Sequence, residues 1–239
     1  MSPLLRLLAA KAPFHVLAFY SMKVEPDHIA FAQNAIGFFK GMGTKDNFTF
    51  EPTTDWNRLS DEGLKGIDVV VWLNDFPQTA EQKSAFERFE TKGGGWLGCH
   101  VAGYNDKFTK WSWYVEFLGG GIFYTNNWPP MPASLLVDDR RHPVTKGLPA
   151  QYQSPANEFY MWKPSPRENP RVKVLVTLDP KNYPLGKKDL LTEGDIPVVW
   201  TNTRYRMLYV NMGHGEKIFD SDIQNRLYEN AILWLGKKK

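Results

Sequence analysis

The chain has 239 residues, 42% of them hydrophobic and 14% aromatic, enough to bury one sizeable core at a length that suits a single domain. Its formal charge of +3 comes from 29 Lys and Arg against 26 Asp and Glu, and taking away the terminal Lys237, Lys238 and Lys239 leaves zero. With no basic stripe to follow a phosphate backbone, nucleic acid is excluded as the expected partner, and a single cysteine excludes an internal disulfide framework.

Residues 1–13 form an N-terminal extension, MSPLLRLLAAKAP. Its leucine run with Arg6 inside and Ala9-Ala10 near the end reads either as the remnant of a secretion signal or as a helical turn lying on the domain. The run is too short to span a bilayer, and as a signal remnant it favours export, to the periplasm for instance, over a cytoplasmic location. The remainder, residues 14–236, reads as one domain.

Two apolar runs rich in β-branched and aromatic residues, 14–20 and 67–73, are each followed by a helical pattern, the signature of βαβ units in a parallel sheet. Their unbroken apolarity predicts burial on both faces. After the first run, Asp27 is placed to cap a helix with Phe31, Ala35, Phe38 and Phe39 on its inner stripe, ending near Gly41. After the second, Thr79 and Gln82 form a capping-box pair, Phe86 and Phe89 make the inner stripe, and Gly93 ends the helix. A third, short strand over residues 95–99 then runs into GGGWLGCHVAG.

That last segment has the form of a sharp elbow between a strand and a helix. An elbow strains its central residue and needs small residues two places before and after it. Centring on Cys99 puts the bulky Leu97 and Val101 at the flanks; centring on His100 puts Gly98 and Ala102 there. The frame therefore selects His100, and Cys99, one place earlier, points into packing as a small buried hydrophobe.

Between residues 104 and 165 the periodicity loosens into a long segment rich in aromatics and proline, including Trp111, Trp113, Trp128 and Trp162, of the kind that often serves as a lid. Regular strands return at 172–178, 197–201 and 207–212. A final helix starts at Ser221 or Asp222, carries Ile223, Leu227, Ala231 and Trp234 on one stripe, and closes at Gly236. The predicted class is α/β, a doubly wound, mostly parallel sheet of flavodoxin-like type with helices on both faces and the long segment as an insertion.

Ligands of such sheets bind beyond the carboxyl ends of the strands, so the residues after each strand are the candidates. These are Glu25, Asp27 and His28 after the first, Asn74 and Asp75 after the second, His100 at the elbow, and His214 between two glycines late in the chain. Glu158, a carboxylate among aromatics, either reaches solvent or pairs with a group such as a histidine. The expected working set is His100, His214 and Glu158, as acid/base groups or as ligands of a divalent metal; no tight ligand spacing such as HExxH singles out the metal. His28, Asn74, Asp75, Tyr104, Trp128 and Trp162 are the expected substrate contacts, because sugar rings lie flat on indole and phenol faces while their hydroxyls seek Asn, Asp and Glu. His15, expected to be buried in a strand, and His142, before Pro143, are read as structural.

The elbow, the segments HPVTKGLP (142–149) and NEFY (157–160), and the stretch from PVVW (197–200) to GHGE (213–216), all in this order, resemble the ThuA-like, or trehalose utilisation, family over roughly residues 14–236. The resemblance implies a fold like that of class I glutamine amidotransferases and a place in carbohydrate metabolism, with trehalose and oxidised disaccharides as the substrate neighbourhood. The amidotransferase relatives carry a catalytic cysteine at the elbow centre; here that position is His100, which argues against glutaminase chemistry. The leading expectation is an enzyme, hydrolase, lyase or isomerase, acting on a sugar or keto-sugar. The alternative is a carbohydrate-binding or sensing module using the same cleft, and a homo-oligomer is compatible with either.

Overall fold

In the computed structural model, residues 13–106, 108–186 and 195–237 are described; the N-terminal extension falls almost wholly outside them. The first half alternates strand and helix: β1 (Phe14–Phe19), α1 (Pro26–Asp46), β2 (Phe48–Thr53), β3 (Val69–Trp72), α2 (Ala80–Thr91) and β4 (Gly95–Cys99). After a short 3-10 turn come α3 (Ser112–Leu118), β5 (Ile122–Asn126), β6 (Ser134–Val137), β7 (Gln151–Gln153) and β8 (Tyr160–Lys163). The chain ends with β9 (Val172–Leu178), β10 (Pro197–Asn202), β11 (Arg206–Val210) and α4 (Asp222–Leu235).

Nine strands form one mixed sheet in the order β2-β1-β3-β4-β11-β10-β9-β6-β7, and β5 pairs with β8 in a separate two-stranded sheet. The pairings from β2 through β11 are parallel and those from β11 through β7 antiparallel. A mostly parallel sheet is thus an overstatement: only one side of it is built from crossovers. Odd and even residues of the central strands feed two cores. Val16, Ala18, Val71 and Leu208 pack with Phe31, Phe39, Leu227 and Ala231 of α1 and α4. Leu17, Phe19, Trp72 and Met207 pack with Phe86 of α2 and Tyr114 and Phe117 of α3. Both faces of the sheet are covered, which explains why these strands read as continuous apolar runs.

Several local signals act as expected. The Thr79 hydroxyl accepts from the Gln82 N–H and the Gln82 side chain accepts from the Thr79 N–H, closing the capping box of α2. Ser221 caps α4 through the Gln224 N–H. At α1 the expectation fails at both ends. Pro26 takes the first helical position, where a missing N–H costs nothing, so Asp27 lies within the first turn and does not cap it. The helix runs past Gly41 to Asn47, whose left-handed φ of 57° ends it. Gly43 allows the helix to approach β2, since a Cβ there would sit 2.7 Å from the Phe48 carbonyl oxygen.

The loosened region is ordered, not an open loop. Its strands pair across large separations, β6 with β9 and β5 with β8, which periodicity cannot reveal. His15 is exposed on β1, its Nδ1 2.8 Å from the Thr49 hydroxyl; β1 is buried only from Val16 onward.

Candidate functional site

The parallel register brings four chain segments to one end of the sheet. Phe19 lies beside Trp72, Trp72 beside Gly98, and Cys99 beside Val210, so the residues that follow β1, β3, β4 and β11 meet there. The strand order leaves β1 in opposite directions toward β2 and β3, and the crevice at such a switch point is where open α/β sheets bind ligands.

His100 sits at the centre of the elbow with a φ of 47°, a left-handed conformation costing roughly 1–3 kcal/mol that persists only where the surroundings hold it. They do so here. The Tyr209 hydroxyl donates to the His100 carbonyl at 2.8 Å, and the His100 ring lies 2.9 Å through Nδ1 from the Asn211 carbonyl. A carbonyl only accepts, so Nδ1 carries the proton and Nε2 is left with a bare lone pair. Cys99 is fully buried, and burial pushes its thiol up to about 12, the state of an inert packing residue.

His28 lies in the first turn of α1, held from below by Asn74. The Asn74 amide accepts from the Ser21 N–H at 2.8 Å and donates to the Ser21 and His28 carbonyls at 3.0 and 3.1 Å. His214 follows β11, and the N–H groups of Gly213 and His214 both donate to the Asn157 side-chain oxygen at 3.1 Å. Gly213 is required there: a Cβ would stand 2.6 Å from that of His100.

Glu158 arrives from the other side, just before β8. Asn126, at the end of β5, donates to one carboxylate oxygen. The other faces inward, 3.4 Å from His100 Nε2 and 3.8 Å from His214 Nε2. His28, His100, His214 and Glu158 each offer a ligating atom within 4.8 Å of the others, and the three imidazole rings lie 5.0–5.5 Å apart, centre to centre. Burial, reinforced by the neighbouring imidazoles, pushes the His28 imidazole down to about 3. His100 is likewise lowered, chiefly by burial and against the pull of Glu158. Both are neutral at pH 7, as either a proton acceptor or a metal ligand must be.

The remaining candidates sort by where the fold puts them. Trp128 is 44% exposed at the mouth, its ring 6.4 Å from that of His214. Glu25, 47% exposed, lies on the solvent side of the histidines, 3.8 Å from His214 and 3.9 Å from His28. Asp27, Pro130, Ala156, His214 and Lys217 line an open hollow of about 200 Å³. Larger hollows exist, such as the 480 Å³ groove along α3, but Lys110 and Glu116 there are exposed and solvated. Trp162 is corrected: it is 1% exposed, wedged edge-on against Trp200 and Tyr209 in the core, with no face for a ligand. Asn74 is spent on positioning His28. Asp75, half-buried, accepts from the Phe76 N–H, and Tyr104 packs on Phe123 with its hydroxyl on Asp106. His142 caps the 3-10 turn after it by accepting from the Val144 N–H. Sequence reasoning missed Tyr160, whose ring lies 4.3 Å from that of His100, and the bracing role of Asn157; their only signal was adjacency to Glu158.

No helix among the described residues is long and apolar enough to cross a membrane. The profile of the ThuA family, described as trehalose utilisation, matches residues 16–235. A crystal structure described as of a ThuA-like protein from Bacteroides uniformis is 50% identical over 95% of this chain and 93% of that one, with a TM-score of 0.91. A second so described, from Parabacteroides merdae, is 17% identical over 95% and 92% of the two chains at a TM-score of 0.67, and shows the fold alone. So does a β-galactosidase from Bacillus circulans, 12% identical, which covers 97% of this chain but only 32% of its own at a TM-score of 0.57. None of the curated proteins matches this chain.

Proposed function

The chain belongs to the ThuA, or trehalose utilisation, family, and from that premise we propose that it is an enzyme acting on a sugar or keto-sugar at the His100, His214 and Glu158 site. Membership supports a role in carbohydrate metabolism. The observation that carries the catalytic reading is the convergence of three buried imidazoles and one inward-facing carboxylate oxygen beside an exposed indole. Such a cluster is costly to bury without a task, and perturbed titratable groups gather at functional sites.

A hollow of about 200 Å³ is smaller than the clefts of roughly 300–1,000 Å³ that enclose drug-sized ligands. It suits one sugar ring lying against His214 and Pro130, with a second ring of a disaccharide reaching outward toward the exposed Trp128. The chemistry the site supports is proton removal from the carbon beside a sugar carbonyl, leading to enolisation or to elimination of the neighbouring substituent. The cleft holds the carbonyl oxygen at the histidine cluster, and the rim carboxylate Glu25, 3.8 Å from His214, takes the proton.

The test is incubation of the purified protein with trehalose, glucosides and keto-disaccharides in D2O. Deuterium entering the carbon beside the carbonyl, or release of a monosaccharide, is the expected result, and Glu158→Gln abolishes it. Absence of exchange and cleavage with every sugar, combined with sugar affinity that depends on Trp128 alone, overturns the reading in favour of a binding module.

A further inference from the structure

We propose that His28, His100, His214 and Glu158 together hold one divalent transition-metal ion of the zinc type, bound by the three imidazole Nε2 atoms and by Oε2 of the carboxylate. His28 thereby becomes a ligand, where its sequence context suggested only a substrate contact. The ion stands on the cluster itself; only the sugar as its incoming ligand rests on the function proposed above.

The first support is an unmet demand. His28, His100 and His214 are 7%, 0% and 2% exposed, and in each the buried Nε2 has no hydrogen-bond partner among the described residues. Buried polar atoms are almost always satisfied; three partnerless ring nitrogens gathered around one point are the arrangement that a cation's ligands adopt. Geometry is the second support. Bonds of about 2.0–2.1 Å at tetrahedral angles set neighbouring donor atoms about 3.4 Å apart, and Glu158 Oε2 lies 3.4 Å from His100 Nε2 and 3.8 Å from His214 Nε2. All four donor atoms lie within 4.8 Å of one another, so a modest contraction closes the set.

The outer contacts have the form that metal sites require. The His100 Nδ1–H is tied to the Asn211 carbonyl, the free Glu158 oxygen to Asn126, the His28 backbone to Asn74 and the His214 N–H to Asn157. Three imidazoles with a single carboxylate suit zinc, iron, cobalt or nickel, whereas calcium and magnesium call for oxygen cages. Glu25, 47% exposed and 3.8–3.9 Å from two of the ligand nitrogens, marks the open side. With the imidazoles engaged, it is the rim carboxylate placed to handle a proton.

The deciding measurement is elemental analysis of the purified full chain, followed by chelator stripping and titration with Zn2+, Co2+, Fe2+, Ni2+ and Mn2+. One equivalent of ion per chain is expected, a raised melting temperature on reloading, and for Co2+ the visible absorption of a four-coordinate site. His28→Ala and His214→Ala lose the ion, Asn74→Ala weakens its binding about 10- to 100-fold, and His15→Gln keeps full occupancy. If the wild-type protein takes up none of these ions and its melting temperature does not respond to them, the proposal is overturned, however well the ligand variants fold. Because no sugar enters this assay, ion uptake without sugar turnover sinks only the sugar reading, and sugar turnover by a protein that takes up no ion sinks only the metal.

Discussion

Replacing Gly213 by alanine should damage the site from within the backbone. The added Cβ would lie 2.6 Å from His100 Cβ, 3.4 Å from a ring carbon of Phe31 and 3.5 Å from the His100 nitrogen. Carbon atoms rest at about 3.5–4.0 Å, so the two segments must part by about 1 Å. Neither yields readily, because His100 is pinned through its carbonyl by Tyr209 and through its ring by Asn211, while Gly213 is tied to Asn157. Overpacking of this kind costs about 1–3 kcal/mol, and at about 2–4 °C per kcal/mol for a chain of this length the melting temperature should fall by roughly 2–12 °C. A displacement of 1 Å at a reacting group costs about 10²-fold in rate, so turnover should suffer more than stability. Gly215→Ala is the control: its φ is +87° but nothing lies within 4 Å of the new Cβ, which confines the cost to local strain of roughly 1–2 kcal/mol and leaves His100 in place. Differential scanning calorimetry and the sugar assay on both variants decide the matter. A Gly213→Ala protein that melts and turns over like wild type would refute the steric coupling of the elbow to the His214 segment.

Three further outcomes follow from the same coordinates. Cys99→Ala should retain turnover, at a stability cost of about 1–2 kcal/mol for the lost buried sulfur, and the native thiol should resist a thiol-reactive dye until the protein unfolds; loss of activity would instead point to thiol chemistry. Glu90, 2% exposed in α2 with neither carboxylate oxygen hydrogen-bonded, has its carboxyl raised well above 4.5 by burial, against the pull of Arg206. The folded state therefore holds this proton more tightly than the unfolded chain, so stability is unpenalised below about pH 4.5 and declines as pH climbs through the raised value; urea unfolding at pH 5 and 8 should show a smaller decline in Glu90→Gln than in wild type, and equal declines would refute the burial penalty. Trp128→Ala should leave the melting temperature unchanged, as exposed substitutions usually do, yet weaken sugar binding by calorimetric titration, and unaltered affinity would remove the indole from the site.

Much of the molecule was decided within a few residues of sequence. Gly98 and Ala102 frame His100, and that local steric rule located the strained position, confirmed by a φ of 47°. The Thr79–Gln82 pair and Ser221 set helix starts through contacts three residues long, and the buried runs of β1, β3 and β9 declared themselves by apolarity alone. What escaped depends on partners distant along the chain. The edge strand β2, with its Thr, Glu and Pro, has no apolar run to announce it, and the antiparallel half of the sheet exists only through pairing such as that of β6 with β9. Whether an indole meets solvent is also a tertiary matter: Trp128 and Trp162 look alike in sequence, yet one is at the rim and the other sealed in the core. The same holds for the site. His100 and His214 could be named from the ends of their strands, but only the parallel register, the Asn74 brace and the approach of β8 bring His28 and Glu158 within 4.8 Å of them. A side chain's chemistry is local, whereas the few ångströms that make four such groups a centre are set by strands packed side by side.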